Sequence, residues 1–309
     1  MLVEKITSRQ NPLVKRFRRV RAGSERHHIF LEGVRLVEEA IAANAHFETV
    51  AFTAALEGSE RGLRLIDALQ KVPCRGAHVS PQVMQAIADT DSPQGIAAIV
   101  SRPFRTLDDL FAGDLRLIVI ADQLQDPGNL GTIIRTAEAA GADGLVTTRY
   151  TVDPFNHKAL RASMGAALRL PMVTDADRAS LVQLCRAHGL KFVASRLPAA
   201  PKPGVIEDAA RAAKVHAYTD ADLTAPLALI VGKEASGVSD AMTTAADEFV
   251  FIPMAAAVES LNVSAAAAIL LYEVVRQRGA TEPKRSSTKP KTKGNPRGTT
   301  AKRRPDKPK

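Results

Sequence analysis

Asp126-Pro127-Gly128-Asn129-Leu130-Gly131-Thr132-Ile133-Ile134-Arg135-Thr136-Ala137-Glu138-Ala139-Ala140-Gly141 follows closely on an apolar run, Leu115 to Ala121. The run predicts a buried strand, because its apolar residues are continuous rather than alternating. Asp-Pro-Gly-Asn then predicts a turn, Asn129 is placed to cap a helix, and Gly141 is placed to close it. The helix is expected over Leu130 to Ala140, and a second apolar run, Gly144 to Thr147, comes straight after it. Strand, turn, helix and strand within so few residues is the unit from which parallel sheets are built.

Outward from that unit the rhythm repeats. Helices are expected at Leu160 to Leu168, Ser180 to His188 and Leu261 to Gln277, and strands at Lys191 to Ala194, Leu227 to Val231 and Phe249 to Ile252. A mostly parallel sheet covered on both faces follows, with ligands expected at the carboxyl ends of its strands. Upstream, Val34 to Ile41, Leu63 to Leu69 and Pro81 to Ile87 have helical spacing, and Thr49 to Thr53 reads as a strand. The apolar run Gly95 to Val100 ends in Ser101-Arg102-Pro103-Phe104-Arg105, which marks a boundary. The expected organisation is a small α/β domain over 1–102 with a basic N-terminal stretch, a linker over 103–113, a larger α/β domain over 114–279, and a basic tail over 280–309.

The chain has 309 residues, 45% of them hydrophobic, and a net charge of +9. That length and composition suit two cores, and no apolar run approaches the roughly 18 residues needed to span a bilayer. Charge is distributed unevenly. Residues 280–309 hold eleven Lys or Arg against Glu282 and Asp306, so the tail alone accounts for +9 and the other 279 residues sum to zero. Within them, residues 1–28 carry +6. Basic ends on a mildly acidic middle favour a polyanionic partner, nucleic acid before membrane. From Thr281 onward no Val, Ile, Leu or aromatic residue occurs, and a disordered tail is expected, serving either as an RNA-binding arm or as a solubilising extension. Met1 to Gln10 carries no apolar signal segment, and the only cysteines are Cys74 and Cys185. A reducing, cytoplasmic location is therefore expected, without a disulfide framework.

Missing motifs narrow the chemistry. There is no Gly-x-Gly, no phosphate-binding loop, no Gly-x-Ser-x-Gly and no His-Glu-x-x-His. A nucleotide-dependent dehydrogenase would need the first of these. Cys185 and His188 have half a metal site's spacing but no partner half, and are read as ordinary helix residues. Three segments are not explained by turn chemistry alone. In the first, Arg135 is a single cation within a largely apolar helix. The second runs from Leu229 through Gly232-Lys233-Glu234-Ala235-Ser236-Gly237, a strand entering a glycine-containing loop that carries an acid. In the third, Ile252-Pro253-Met254 through Glu259-Ser260-Leu261-Asn262-Val263-Ser264, Ser260 is read as the helix cap, while Asn262 disfavours the helix it is expected to occupy.

Together these segments resemble the SpoU/TrmH family of RNA ribose 2′-O-methyltransferases, of the SPOUT superfamily. The resemblance rests on Asn-Leu-Gly-Thr-Ile-Ile-Arg, then Gly-x-Glu-x-x-Gly, then Ile-Pro-Met with Ser-Leu-Asn-Val-Ser and Leu-Tyr-Glu before Arg-Gln-Arg, in that order. Phe30-Leu31-Glu32-Gly33 and Ser92-Pro93-Gln94-Gly95 look like parts of the small substrate-binding domain that often precedes the catalytic one. The resemblance implies a parallel-sheet domain with a C-terminal trefoil knot, a homodimer, S-adenosylmethionine as cofactor and tRNA or rRNA as substrate. It further implies that Gly232, Ile252 and Leu261 hold the cofactor, and that Asn129, Arg135, Glu234, Ser260 and Asn262 fall on catalytic positions. Ala256 stands where the family usually has Gly, and Lys233 and Ala235 where Asn and Gly are common. A non-catalytic RNA-binding protein on the same fold is the alternative.

A ribose 2′-hydroxyl is a poor nucleophile at neutral pH, so positioning and stabilisation of the developing alkoxide must supply the rate. Because a guanidinium has a pKa above about 12, Arg135 is expected to stabilise the oxyanion and anchor phosphate rather than take a proton. With 4% aromatic residues and no Trp, a platform of stacked bases is not expected, and recognition should rest on backbone charge and RNA shape.

Overall fold

The computed structural model describes residues 2–196, 214–233, 237–255 and 260–281. The first hundred residues give β1 (Leu2–Ile6), α1 (Pro12–Arg21), β2 (His28–Glu32), α2 (Val34–Ala42), β3 (Phe47–Phe52), α3 (Ala54–Glu57), α4 (Glu60–Gln70), β4 (Arg75–Val79), α5 (Pro81–Ile87) and β5 (Ile96–Ser101). Their strands form one sheet in the order β1-β4-β3-β5-β2, parallel except where β5 runs against β3 and β2. Helix α1 shows how sequence sets this domain. Asn11 caps it by accepting from the Leu13 N–H, Pro12 opens it, and Leu13, Val14, Phe17 and Val20 face the core. The opposite face holds the N-terminal arginines, and several of them are already engaged. Arg16 forms a two-pronged pair with Glu48, Arg19 meets Glu25, and Arg18 and Arg21 donate to the carbonyls of Ala86 and Ile87.

The stretch expected to be a linker contains a helix, α6 (Leu107–Phe111), capped reciprocally by Thr106 and Asp109. Its Leu110 and Phe111 are buried against the second sheet. From there the chain forms β6 (Leu117–Ala121), α7 (Pro127–Ala139), β7 (Gly144–Thr148), α8 (His157–Ser163), β8 (Met172–Ala176), α9 (Arg178–Ala187), β9 (Lys191–Ser195), β10 (Lys214–Ala217), β11 (Leu227–Val231), α10 (Asp240–Ala245), β12 (Glu248–Phe251) and α11 (Val263–Thr281). The order β10-β12-β9-β11-β6-β7-β8 is parallel at every pairing. Strands β6 and β11 lie at its centre with every residue buried, as their continuous apolar sequences require. One face packs beneath α7 and α11, the other beneath α6, α9 and α10.

Three local expectations are corrected. The helix foreseen over Leu160 to Leu168 breaks after Ser163, where Met164 and Gly165 both have positive φ. A Cβ at Gly165 would stand 2.6 Å from that of Glu39 on α2, so the break seats the two domains against each other. Asp126, not Asn129, caps α7, accepting from the Asn129 N–H at 2.7 Å. Asn262, not Ser260, immediately precedes α11, and its side chain accepts from the Ser264 N–H at 3.0 Å. The Asn that appeared costly inside a helix is thus its cap. The loops at 234–236 and 256–259, near the C-terminal trefoil knot that the resemblance implies, lie outside the described residues. Of the basic tail expected over 280–309, the first two residues continue α11 and the rest is not described.

Candidate active site

The carboxyl ends of β6 and β11 are adjacent, and beyond the sheet the segment that leaves β6 meets both the loop that leaves β11 and the chain that follows β12. After β6 the chain passes through Asp122 to Gln125 and enters α7, which carries Asn129 in its first turn. After β12 it returns to the start of α11. There the Asn262 side-chain amide donates to Asn129 Oδ1 at 3.0 Å, while Asn262 Oδ1 accepts from the backbone and hydroxyl of Ser264. One residue therefore caps α11 and ties it to α7, although the two asparagines are 133 positions apart. Gly131 lets this part of α7 lie close to α8, since a Cβ there would stand 2.4 Å from the Ala159 carbonyl oxygen and 2.6 Å from Ala162 Cβ.

Arg135 lies six residues past Asn129, about 9 Å along the helix axis, on the exposed side of α7, and makes no ion pair with a described residue. Ser260 is half-buried two positions before the cap, and Leu261 is 36% exposed between them. Ile252 is half-buried just beyond β12. Gly232 follows β11 in a loop that folds back on itself. Lys233 and Gly237 exchange backbone hydrogen bonds of 2.9 and 2.8 Å, and a Cβ on Gly232 would meet the Gly237 carbonyl and the Val238 nitrogen at 2.4 Å. Only glycine fits there. Glu234, with Ala235, and Ala256 lie outside the described residues.

Cofactor binding by backbone groups suits this arrangement. Ile252 directly follows β12 and Leu261 directly precedes the Asn262 cap, so both stand where the main chain leaves regular structure. Both residues present apolar side chains next to their main-chain groups, the combination that a flat purine with a polar edge requires.

A residue that motif reading missed joins the loops at this sheet end. Asp122, fully buried at the end of β6, accepts from Thr148 Oγ1 at 2.6 Å, from the Ser239 N–H at 2.8 Å and from Arg178 at 3.2 Å. Burial pushes its carboxyl group up, but hydrogen bonds from Thr148 and Ser239, with the charge of Arg178, hold it below its ordinary value. The sequence signal was an acid directly after a buried strand. Its partners gave none, being distant in sequence.

Other motif residues prove structural. Glu273 of Leu-Tyr-Glu pairs with Arg276 and accepts from Gln277. Gln277 also bonds Leu223 and Ala221, and Arg278 donates to the carbonyls of Arg116 and Ala225. These contacts fasten the end of α11 to the start of β6 and β11. The hydrogen bond from Arg276 holds Glu273 below the usual carboxylate range despite its burial. Cys185 is buried, its thiol pushed up to about 12 by burial, and His188 closes its helix and packs edge-on against Phe111; the described residues contain no metal-binding cluster. No described helix is long and apolar enough to cross a membrane.

A parallel sheet with loops at its carboxyl edge, preceded by a mixed domain, is an architecture that comparison with known proteins assigns to S-adenosylmethionine-dependent RNA ribose 2′-O-methyltransferases. The chain belongs to the SpoU rRNA Methylase family, which matches residues 116–272, and residues 4–98 match the MRM3-like substrate binding domain. The 23S rRNA (guanosine(2553)-2′-O)-methyltransferase RlmP of Bacillus subtilis is 31% identical over 279 residues, covering 88% of this chain and 99% of that protein. The 23S rRNA (uridine(2479)-2′-O)-methyltransferase of Streptomyces viridochromogenes is 31% identical over 270 residues, covering 86% of this chain and 87% of that one. The crystal structure of an AdoMet-bound rRNA methyltransferase from Sinorhizobium meliloti is 28% identical, with a TM-score of 0.75 over 89% of this chain and 98% of that one. The non-catalytic alternative gives way to an enzyme.

Proposed function

We propose that the chain methylates a ribose 2′-hydroxyl in large-subunit ribosomal RNA, acting as a cytoplasmic homodimer. The division of labour assigns residues 1–102 to RNA binding and 114–279 to methyl transfer. The observation that carries the site assignment is the Asn129–Asn262 hydrogen bond, which joins the first motif to the third. S-adenosylmethionine, when bound, supplies a methyl group on a positively charged sulfur. Backbone groups of Gly232, Ile252 and Leu261 hold and orient it. Asn129 and Asn262 fix the geometry of the two helix starts, with Ser260 and Glu234 contributing polar groups from the adjoining loops. As the ribose 2′-oxygen takes up the methyl group and releases its proton to solvent, Arg135, always charged, stabilises the negative charge that develops on that oxygen and anchors a neighbouring phosphate.

The homodimer reading rests on α11. Ala267, Leu270, Leu271 and Val274 are buried on one side of this helix, while Tyr272 is 52% and Val275 37% exposed on another. A helix apolar on more than one side wants a second surface, and a second copy of the chain presents a self-complementary one. Relatives that act on guanosine and on uridine differ in base but share the ribose chemistry. The base is therefore set by RNA recognition and not by the reacting groups. Mapping ribose methylation across total RNA with and without the gene tests the assignment: one position in large-subunit rRNA should lose its methyl group, and loss confined to tRNA would overturn the rRNA reading.

A further inference from the structure

Five non-glycine residues among those described have positive φ, and three of them sit at the carboxyl ends of consecutive neighbouring strands: Gln123 after β6, Tyr150 after β7 and Asp175 as the last residue but one of β8. Such backbone is uncommon outside Gly, Asn and Asp, and for a large aromatic residue it is strained. Strain of this kind gathers where a side chain must be aimed.

Tyr150, with φ of 69°, is the third residue of a turn closed by the Thr151 N–H on the Thr148 carbonyl at 3.2 Å, a position that suits glycine. Its side chain is 75% exposed, so neither the turn nor core packing asks for an aromatic ring there. Its loop is nevertheless held firmly. Gln125 Nε2 donates to the Tyr150 carbonyl at 2.5 Å, the Gln123 N–H donates to Thr151 Oγ1 at 3.0 Å, and the Val152 N–H donates to the Leu124 carbonyl at 2.8 Å. Gln125 immediately precedes the Asp126 cap of α7, and three residues further on stands Asn129. On the other side Thr151 lines a cleft of about 830 Å³ between the domains, together with Arg26, Asp175 and the 82% exposed Phe104. An exposed ring therefore stands on a backbone that is bonded to the segment leading into α7 and that borders, through Thr151, on the cleft.

Accepting the methyltransferase reading above, we propose that Tyr150 is the stacking platform for a base of the RNA next to the reacting ribose, and so a residue that sets substrate specificity. Bases of single-stranded RNA are held by stacking on aromatic faces, and one ring at the right place suffices in a chain poor in aromatics. The left-handed backbone directs the ring into solvent, where it meets RNA and not the core.

The absence of Trp from the chain makes Tyr150→Trp a single fluorescent probe. The RNA is unmodified 23S rRNA transcribed in vitro. Its methylation by the unaltered protein from labelled S-adenosylmethionine is measured first, and no transfer there would sink the functional reading rather than this inference. With transfer established, RNA should quench the emission of Tyr150→Trp. Tyr150→Gly, which suits the positive φ and so should fold, should weaken RNA binding by roughly 5- to 150-fold, the range that loss of one stacked base gives. Its S-adenosylmethionine affinity should not change, and Tyr150→Phe should restore RNA affinity to within about twofold. Unaltered RNA affinity in Tyr150→Gly, or emission indifferent to RNA, overturns the proposal. So does blue-shifted emission before RNA is added, because a second protein copy would then be covering the ring.

Discussion

Replacing Asp122 by Ala should cost the folded protein about 3–5 kcal/mol. The carboxylate is fully buried and accepts from Thr148 Oγ1, the Ser239 N–H and Arg178. Removing it leaves two donors without a partner in a dry site, each worth about 1–3 kcal/mol. Arg178 also loses its counter-charge, but its side chain is 22% exposed, and water recovers part of that loss, so the sum stays near the cost of breaking one buried pair. Asp122→Asn keeps the shape and one accepting oxygen, and should cost about half as much. Urea unfolding followed by circular dichroism reads both. Because Ser239 ends the loop that begins at Gly232, the Ala variant should also lose S-adenosylmethionine affinity more than RNA affinity. The carboxyl group sits below its ordinary value of 3.8 in the folded state. Its stabilising contribution is therefore complete above the unfolded value and disappears as pH falls through the lower folded value, so Asp122→Asn should show a shallower acid limb. A loss under about 1 kcal/mol for Asp122→Ala would refute the view that one carboxylate joins three loops.

Arg135→Ala should reduce methyl transfer by roughly 100- to 1000-fold while S-adenosylmethionine affinity stays within a few-fold, as for a group used in the transition state; near-normal single-turnover rates would remove it from the chemistry. Val275→Arg should convert a dimer into monomers by light scattering at micromolar concentration, and an unchanged mass would place the interface elsewhere. Gly131→Ala should cost about 1–3 kcal/mol, since the new Cβ meets a backbone oxygen at 2.4 Å; a neutral effect on thermal unfolding would show that α7 and α8 part freely. Truncation after Thr281 should weaken RNA binding and reduce its salt dependence by about 0.7 for each phosphate that the tail no longer neutralises, and an identical salt slope would make the tail a solubilising extension.

The central strands of the second sheet were legible because burial on both faces demands continuous apolar residues, as in β6 and β11. Edge strands are not under that demand. Leu2-Val3-Glu4-Lys5-Ile6 and Lys214-Val215-His216-Ala217 border their sheets, leave Val3 and Val215 about half exposed, and offer no pattern to read. Strand β4, Arg75-Gly76-Ala77-His78-Val79, is interior but carries a glycine and two polar residues, and its neighbours alone decide its state. Helix caps were misplaced by two or three residues for one reason. Every polar residue near a helix start looks like a cap, and Asp126 and Asn129, or Ser260 and Asn262, are distinguished only by which side chain reaches a free N–H.

The same ambiguity separates motif from mechanism. The residues that carry the family resemblance do unlike work here: Gly131 and Gly232 permit close backbone approach, Glu273, Gln277 and Arg278 fasten α11 to the sheet, and Asn262 both caps a helix and bonds Asn129. A motif recurs because a geometry is required, whether or not the residue touches a substrate. Arg135 differs from these. It is a cation on an exposed face of α7 without an ion-pair partner among the described residues, and no fold requirement in its surroundings accounts for it. Tyr150 stands out in the same way, as a large exposed ring at a turn position that glycine would serve. Groups whose placement folding alone leaves unexplained are where substrate contacts are expected, since strain and unpaired charge are retained at functional sites.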